Sequence, residues 1–273
     1  MRTDHPGRPD YVHGYTPRES ERLVDQATAL TDFLHADTRF PAGGRVLEAG
    51  CGVGAQTVTL ARNSPGAIIT AVDISAESLA VARRRVESAG LANVVFEEAD
   101  VFDLPFSAAT FDHVYVCFVL EHLQDPRGAL AALRAVTKPG GTLTVIEGDH
   151  GSTFFHPENA DSRRAIECLV RLQAEAGGDS LIGRRLYPML VEAGLSDVRV
   201  APKFVYVDAS RPDLVEGFTR NTFAAMVEGV RDGALEAGLI DRQTWDRGIA
   251  GLYRAAEPDG VFCYTFFKAT GVN

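Results

Sequence analysis

Hydrophobic positions change rhythm twice along this chain. Between residues 16 and 35, Leu23, Ala27, Leu30 and Leu34 recur at helical spacing behind Thr16-Pro17-Arg18-Glu19. Thr16 suits an N-cap, Pro17 the first helical position, and Glu19 completes a capping box. The spacing predicts one amphipathic helix, ended by Pro41-Ala42-Gly43-Gly44. From residue 45 to 148 the pattern becomes short apolar runs, at 46–47, 67–72, 94–96, 113–119 and 142–146, separated by amphipathic stretches. One predicted helix begins near Val53. A second follows Ser75 and ends at Gly90, with Leu79, Ala82, Val86 and Ala89 on one face. A third starts at Asp125-Pro126, an N-cap followed by proline. Buried, non-alternating strands that alternate with helices specify a parallel sheet covered on both faces. Beyond Gly148 the regularity weakens. Residues 149–155 read as a loop, 159–176, 183–193, 214–237 and 245–256 as helices, and 198–207 and 261–268 as strands.

The 273 residues allow one large domain or two small ones at about 150 residues each. No linker, repeat or low-complexity stretch divides them, so a single α/β domain is expected. The 37 acidic against 27 basic side chains leave a net charge of −10. That surface disfavours phosphate backbones and anionic membranes, so neither a nucleic-acid nor a membrane partner is expected. It attracts a cationic small molecule mildly. Cys51, Cys117, Cys168 and Cys263 form no CxxC pair, which argues against a zinc site or redox dithiol and fits reduced thiols in the cytoplasm. The first ten residues lack the apolar core of a signal peptide. The apolar run at 114–120 falls far short of the ~18 residues of a membrane span.

The segment that carries chemistry is Val46-Leu47-Glu48-Ala49-Gly50-Cys51-Gly52-Val53-Gly54. A buried strand runs into three alternate glycines and then into a helix. Glycine lets the backbone turn sharply and approach a ligand closely, and the first helical turn offers free N–H donors. Gly50, Gly52 and Ala55 loosely match a dinucleotide fingerprint, but Glu48 would repel a pyrophosphate and attract an ammonium or sulfonium. Asp73 ends the second apolar run and suits a ribose diol. Asp100 follows the third, where a carboxylate can accept from an adenine amino group while Val101-Phe102 packs on the ring. Each acid alone could equally be a helix cap or a surface carboxylate; three at successive strand ends argue for a ligand.

These residues resemble the class I S-adenosylmethionine-dependent methyltransferases. The resemblance covers roughly residues 45–148 and is carried by the Glu48–Gly54 loop, Ala71-Val-Asp-Ile-Ser, Glu98-Ala-Asp, Phe111-Asp, Leu120-Glu-His-Leu and Lys138-Pro-Gly-Gly. Leu-Glu-His-Leu-x-Asp-Pro looks like the branch of ubiquinone and menaquinone methyltransferases. It implies a Rossmann-like, doubly wound seven-stranded sheet, mostly parallel with an antiparallel last strand, with 198–207 and 261–268 as the closing pair. It implies that Glu48, Gly50, Cys51, Gly52, Gly54 and Gln56 hold the methionine part of S-adenosyl-L-methionine, Asp73 and Ile74 the ribose, and Asp100 and Val101 the adenine. Cys117 and Phe118 would line the pocket near the sulfur. Tyr11-Val-His-Gly-Tyr15-Thr-Pro-Arg-Glu and the 221–245 insert resemble bacterial secondary-metabolite methyltransferases, including indole C-methylating enzymes. That implies residues 1–44 as an arm and cap helix bringing Tyr11 to the cofactor and Tyr15 to the active site. The remaining 45–273 would form the cofactor-binding domain, with substrate-lid inserts at about 149–183 and 209–258.

Methyl transfer from a sulfonium is a direct displacement, so the protein mainly aligns the reacting atoms. A base helps when the nucleophile is a hydroxyl or protonated amine; an indole or enol carbon can attack first. Candidate bases sit after strands four and five: His122, which could equally be structural, then Glu147 and His150, with Asp149 as ordinary polarity. Glu147, Asp149, His150 and His156 match no standard metal-ligand spacing, so no metal is expected. The expected acceptor is a small hydrophobic or aromatic metabolite, methylated at carbon first, at O or N as the alternative. Other classes are a nicotinamide-dependent oxidoreductase, opposed by Glu48 and by the missing Tyr-x-x-x-Lys pair, and a non-catalytic nucleotide-binding protein. An N-terminal arm ahead of a domain also raises the expectation of a homo-oligomer.

Overall fold

The computed structural model describes residue 30 and residues 33–273. The start of the first predicted helix, with Tyr11 and Tyr15, lies outside the described residues.

Seven strands form one sheet: β1 (Arg45–Ala49), β2 (Ile68–Asp73), β3 (Val94–Glu98), β4 (Phe111–Cys117), β5 (Thr137–His156), β6 (Ser196–Val207) and β7 (Val261–Val272). Their spatial order is β3-β2-β1-β4-β5-β7-β6. All pairings up to β4–β5 are parallel, and β7 runs antiparallel to both neighbours. The doubly wound, mostly parallel sheet with one reversed last strand is therefore present as expected.

The helices start where local chemistry starts them. Helix α1 (Thr57–Asn63) begins four residues later than Val53 suggested, because Gly54 still carries the loop's positive φ of 76°. Helix α2 (Ala76–Ser88) is capped by Ser75, whose hydroxyl accepts from the Ser78 amide. Helix α3 (Pro126–Val136) is capped by Asp125 with proline in its first turn. Helix α4 (Ala160–Glu175) starts at Asn159, which accepts from the amides of Asp161 and Ser162. A short helix α5 (Leu186–Glu192) precedes β6.

The predicted helix 214–237 is broken. A turn at Pro212–Leu214 leads into π-helical Val215–Ala224, then α-helical Ala225–Gly229, and the chain restarts at Arg231–Glu236. Helix α6 (Arg242–Arg254) packs on α4, with the buried Ser162 hydroxyl donating to Gly248 O at 2.7 Å.

Two hydrophobic layers sandwich the sheet. On one face Val46, Ile69, Tyr115 and Ile146 meet Leu30, Leu34 and Leu60, and the same cluster continues into Phe218, Phe223 and Trp245. On the other, Leu47, Val72, Val114 and Val145 meet Leu130 and Leu133 of α3 and Met189 and Leu190 of α5. The segment before β1 is tied to the first face by polar contacts. Lys268 Nζ donates to Asp37 Oδ1 and Thr38 Oγ1, each at 2.6 Å, and His35 Nδ1 lies 3.1 Å from the Tyr115 hydroxyl.

Residues 149–155 are not a loop. β5 continues to His156, pairing Phe154–His156 with Val261–Cys263 across a register shift after Asp149. The shift is built locally. Asp149 Oδ1 accepts from the Gly151 amide at 3.0 Å, and the Ser152 and Thr153 hydroxyls donate to the carbonyls of Asp149 and His150. Bulges of this kind re-aim side chains near active sites.

Candidate active site

The glycine loop lies where β1 ends. Gly50, Gly52 and Gly54 all adopt positive φ, at 71°, 52° and 76°. A Cβ on Gly50 would lie 2.5 Å from Val119, and one on Gly54 2.8 Å from Ala82 of α2. Of these three, Gly52 has nothing within 4 Å of such a Cβ. Two glycines thus serve close packing, while the middle one leaves open space for a ligand.

Asp73 shapes the loop directly. Its Oδ2 accepts from the Gly52 amide at 2.8 Å and its Oδ1 from the Ser75 amide at 2.9 Å. Burial pushes its carboxyl above the usual range, with the amides of Ser75, Gly52 and Ile74 pulling the other way. The amides of Gly50 and Cys51 both donate to Val72 O, so loop and β2 form one rigid corner.

Glu48 does not sit on the rim of the cleft. It is buried within β1 beside Tyr115 of β4, and its Oε2 has no hydrogen-bond partner. Burial raises its pKa to about 8, with the Asp73 charge adding to the rise and Thr57 opposing it. Gln56, which faces His35, and Thr57, which faces the Glu48 carboxyl, bring further buried polar atoms to the start of α1. Asp100 lies beyond β3, toward the far edge of the sheet, where its Oδ1 accepts from the Phe102 amide at 2.9 Å. Val101 packs into the hydrophobic layer rather than standing free, and Phe102 is exposed.

The other half of the site is built by the ends of β4 and β5. Cys117 closes β4, and burial holds its thiol well above the usual pKa. Phe118 takes a positive φ of 58°, a strained choice for an aromatic residue, and its ring meets Phe266 at 5.4 Å. His122 ends a short 3₁₀ turn with Nε2 3.6 Å from Glu121 Oε1. Glu147 is fully buried. Its Oε1 accepts from the amides of Val119 at 3.1 Å and Leu120 at 2.8 Å, which fixes the turn after β4, and its Oε2 has no partner. Burial first, and the Glu121 charge second, hold it well above the usual carboxylate range.

His150 lies in the bulge, buried, with Nδ1 2.7 Å from the Tyr264 hydroxyl and its ring against Phe223. Tyr264 is the residue that sequence reasoning missed. Its hydroxyl occupies the space that a Cβ on Gly148 would fill, at 2.3 Å. Its ring sits among Phe218, Phe223 and Phe266. The available signal was a phenol on the apolar face of an alternating strand.

Asp149 is not ordinary polarity. It is buried and forks onto Arg184, through Nε to Oδ2 at 2.6 Å and Nη2 to Oδ1 at 2.7 Å. Among the described residues no His, Cys, Asp and Glu side chains gather as a metal site, and no helix is long and apolar enough to cross a membrane.

Fold and site together define an α/β protein built to receive a ligand at the carboxyl ends of its parallel strands. The Methyltransferase domain family matches residues 47–145. The demethylmenaquinone methyltransferase of Thermus thermophilus is 31% identical over 162 residues, 49% of this chain and 73% of that protein. The chain belongs to the class I S-adenosylmethionine-dependent methyltransferases. It is also 34% identical over 134 residues to the 27-O-demethylrifamycin SV methyltransferase of Amycolatopsis mediterranei, covering 49% of each chain. The YcgJ protein of Bacillus subtilis shares the fold, with a TM-score of 0.58 at 16% identity, over 90% of this chain and 98% of that one. The first curated relatives are matched over 35% to 60% of their own lengths.

Proposed function

We propose that the protein transfers a methyl group from S-adenosyl-L-methionine to a small hydrophobic or aromatic molecule. The observation that carries this reading is the open space above Gly52, backed by the buried polar side chains of Glu48, Gln56 and Thr57, with Glu48 Oε2 left without a hydrogen-bond partner. A group rich in N–H donors fits there; a pyrophosphate does not. The Gly50–Gly54 loop and Asp73 would hold the methionine and ribose parts, Asp100 and Val101 the adenine, and Cys117 and Phe118 the region of the sulfur. When bound, S-adenosyl-L-methionine supplies a methyl carbon already activated by its sulfonium.

The chain's residues orient the acceptor, exclude water and take up a proton. Phe118, Phe218, Phe223 and Phe266 give the acceptor a dry aromatic wall. Tyr264, bonded to His150, is a hydroxyl placed to accept from an O–H or N–H of the acceptor, with the imidazole behind it as the proton's destination. Glu147 orients the turn that bears Phe118 and Leu120. Carbon methylation of an indole-type acceptor is the first reading and O- or N-methylation the alternative; the inserts at 149–183 and 209–258 would form the lid. The secondary-metabolite setting, a cytoplasmic location and a homo-oligomer belong to the same proposal.

The test is methyl transfer from radiolabelled S-adenosyl-L-methionine to indoles, phenols and amines, with calorimetric titration of S-adenosylhomocysteine and NADH alongside. The expected result is binding of the adenosyl compound only, weakened at least tenfold by Asp73→Ala, and labelling of at least one acceptor. Binding of NADH without the adenosyl compound overturns the reading.

A further inference from the structure

The turn after β4 is the hub of a buried polar cluster on the acceptor side of the sheet. Glu147 Oε1 accepts from the amides of Val119 and Leu120, and the Glu121 amide also faces that carboxyl. The Glu121 carbonyl accepts from Gln173 Nε2 at 3.0 Å and from the Asp179 amide at 2.8 Å. Next to Asp179, the Ser180 carbonyl accepts from the His150 amide at 2.9 Å. The end of β5, the turn, the last turn of α4 and residues 178–180 are thus stitched together. Three side chains of these segments, each at most 1% exposed, keep a polar atom without a hydrogen-bond partner: Glu147 Oε2, Gln173 Oε1 and Ser180 Oγ. Buried polar atoms left unmatched are costly, and a structure retains them where a ligand completes them.

The chemistry of the outstanding atoms selects the ligand. A carbonyl takes only donors, so the Gln173 amide nitrogen must face Glu121 and the atom left over is its oxygen, an acceptor. Glu147 Oε2 is the second oxygen of a carboxyl whose first oxygen already accepts backbone N–H groups. Ser180 Oγ can play either part. Two acceptors and a hydroxyl call for a group rich in N–H. The charge nearby points the same way. After burial, the Glu121 carboxylate is the largest influence raising the pKa of both Glu147 and Tyr264, which sets the acids beside the aromatic wall. The guanidiniums of Arg184 and Arg185 are engaged by Asp149 and Asp179. An anionic group would meet oxygen lone pairs here; an amine finds partners and, when protonated, opposite charge.

We propose that Glu147, Gln173 and Ser180 form a socket for an amino group of the acceptor, which makes the substrate class apolar or aromatic amines. The socket rests on the methyltransferase reading and deepens it by naming that class. The apolar body of the acceptor lies along Phe118, Phe266 and Tyr264, whose rings already pack on one another, and its nitrogen end enters the socket. The amine is the handle that sets the acceptor's register, whichever atom receives the methyl group. Glu147 then has two tasks, one for each oxygen: Oε1 holds the turn and Oε2 meets the acceptor. Gln173 and Ser180 are specificity-determining residues supplied by the segment that follows β5.

The experiment is calorimetric titration of the full chain, saturated with S-adenosylhomocysteine, with matched sets of compounds that share one ring and differ at one end. One set is tryptamine, tryptophol and indoleacetate; the other is phenethylamine, phenethyl alcohol and phenylacetate. In at least one set the amine should bind about tenfold or more tightly than its alcohol and its carboxylate, because a site built for N–H groups rejects analogues that lack them. Gln173→Leu should remove most of that advantage while the affinity for S-adenosylhomocysteine stays as in wild type. Ser180→Ala should narrow it several-fold. A merely structural role for Gln173 would instead weaken all members of a set alike. Alcohol or carboxylate binding as well as the amine in both sets, or no binding by either amine, overturns the socket. So does a folded Gln173→Leu that keeps the full preference. In each of these cases S-adenosylhomocysteine still binds and the methyltransferase reading stands; failure of S-adenosylhomocysteine to bind overturns that reading itself. The wild-type sets decide the matter even if a variant does not fold.

Discussion

Gly148 shows how much one missing methyl group can specify. It sits in β5 directly under the Tyr264 hydroxyl, which approaches the position of an absent Cβ to 2.3 Å, with the ring carbons at 3.3 Å and beyond. The tyrosine can reach His150 because residue 148 has no side chain. Gly148→Ala should therefore push the phenol off its partner and destabilise the protein by about 1–3 kcal/mol, as overpacking does. The test is a double-mutant cycle by denaturant unfolding. Gly148→Ala should cost markedly less in a Tyr264→Phe background, where the crowding oxygen is gone. Equal costs in both backgrounds would mean that the strain lies elsewhere.

At the scale of elements, the informative one is β5. Its first half, through Ile146, was legible as an apolar run, and its partner strands and helix starts were legible too. Ser75, Asp125 and Asn159 cap helices through contacts three residues long or shorter, and such local chemistry is written locally. The second half was hidden because Gly-Asp-His-Gly-Ser-Thr looks like a turn. What makes it strand is pairing with residues more than a hundred positions away. The same non-locality hid Tyr264, which meets His150 only through the β5–β7 register, and the π-helical stretch, which follows from packing rather than propensity. The glycine loop and Asp73 were legible because that corner is built within about 25 residues of sequence. Glu48 was legible as an acid but not as a buried one.

The Asp149 carboxylate that accepts from Gly151 in the β5 bulge is also gripped by the Arg184 fork. The carboxylate is 3% exposed and the guanidinium 49%. Removing either partner is not symmetric, because arginine can return to water and the aspartate cannot. Arg184→Met should cost about 1–3 kcal/mol, less than a fully buried pair because the arginine is half solvated. Asp149→Asn should cost less. Chemical denaturation of both variants checks the order, and a larger loss for Asp149→Asn would show that the arginine needs the contact more.

For the molecule as a whole, two buried groups oppose each other in pH. His35 titrates near 4 when folded, against 6.5 for its ordinary value. The folded state binds fewer protons there, so stability is lost as pH falls through that window. Glu48 titrates near 8 against 4.5. The folded state binds more protons, so stability is lost as pH rises from 4.5 to 8. Each slope is about 1.4 kcal/mol per pH unit. Between pH 4.5 and 6.5 these two cancel; from 6.5 to 8 His35 no longer compensates and Glu48 should remove about 2 kcal/mol, with the buried Glu147, whose carboxyl is also held up by burial, acting in the same direction. Thermal unfolding without ligand should show Tm several degrees lower at pH 8 than at 6.5. Glu48→Gln should shrink the difference; its undiminished persistence would assign it to Glu147 and the other carboxyls.

The reversed strand β7 has a consequence for how this chain comes to exist in a cell. It lies between β5 and β6, although it is the last of the three to be synthesised. Until residues 261–272 leave the ribosome, β5 presents a bare edge, β6 has no strand to pair with, and His150 has no Tyr264 to meet. The glycine-loop half can assemble as it emerges; the acceptor half waits for residues 261–272 to pair with β5 and bring β6 onto the sheet. Each nascent copy thus passes through a stage with the β5 edge exposed and β6 unpaired, the kind of surface that chaperones hold and aggregates recruit. A stop codon placed before Val261 would make that stage permanent.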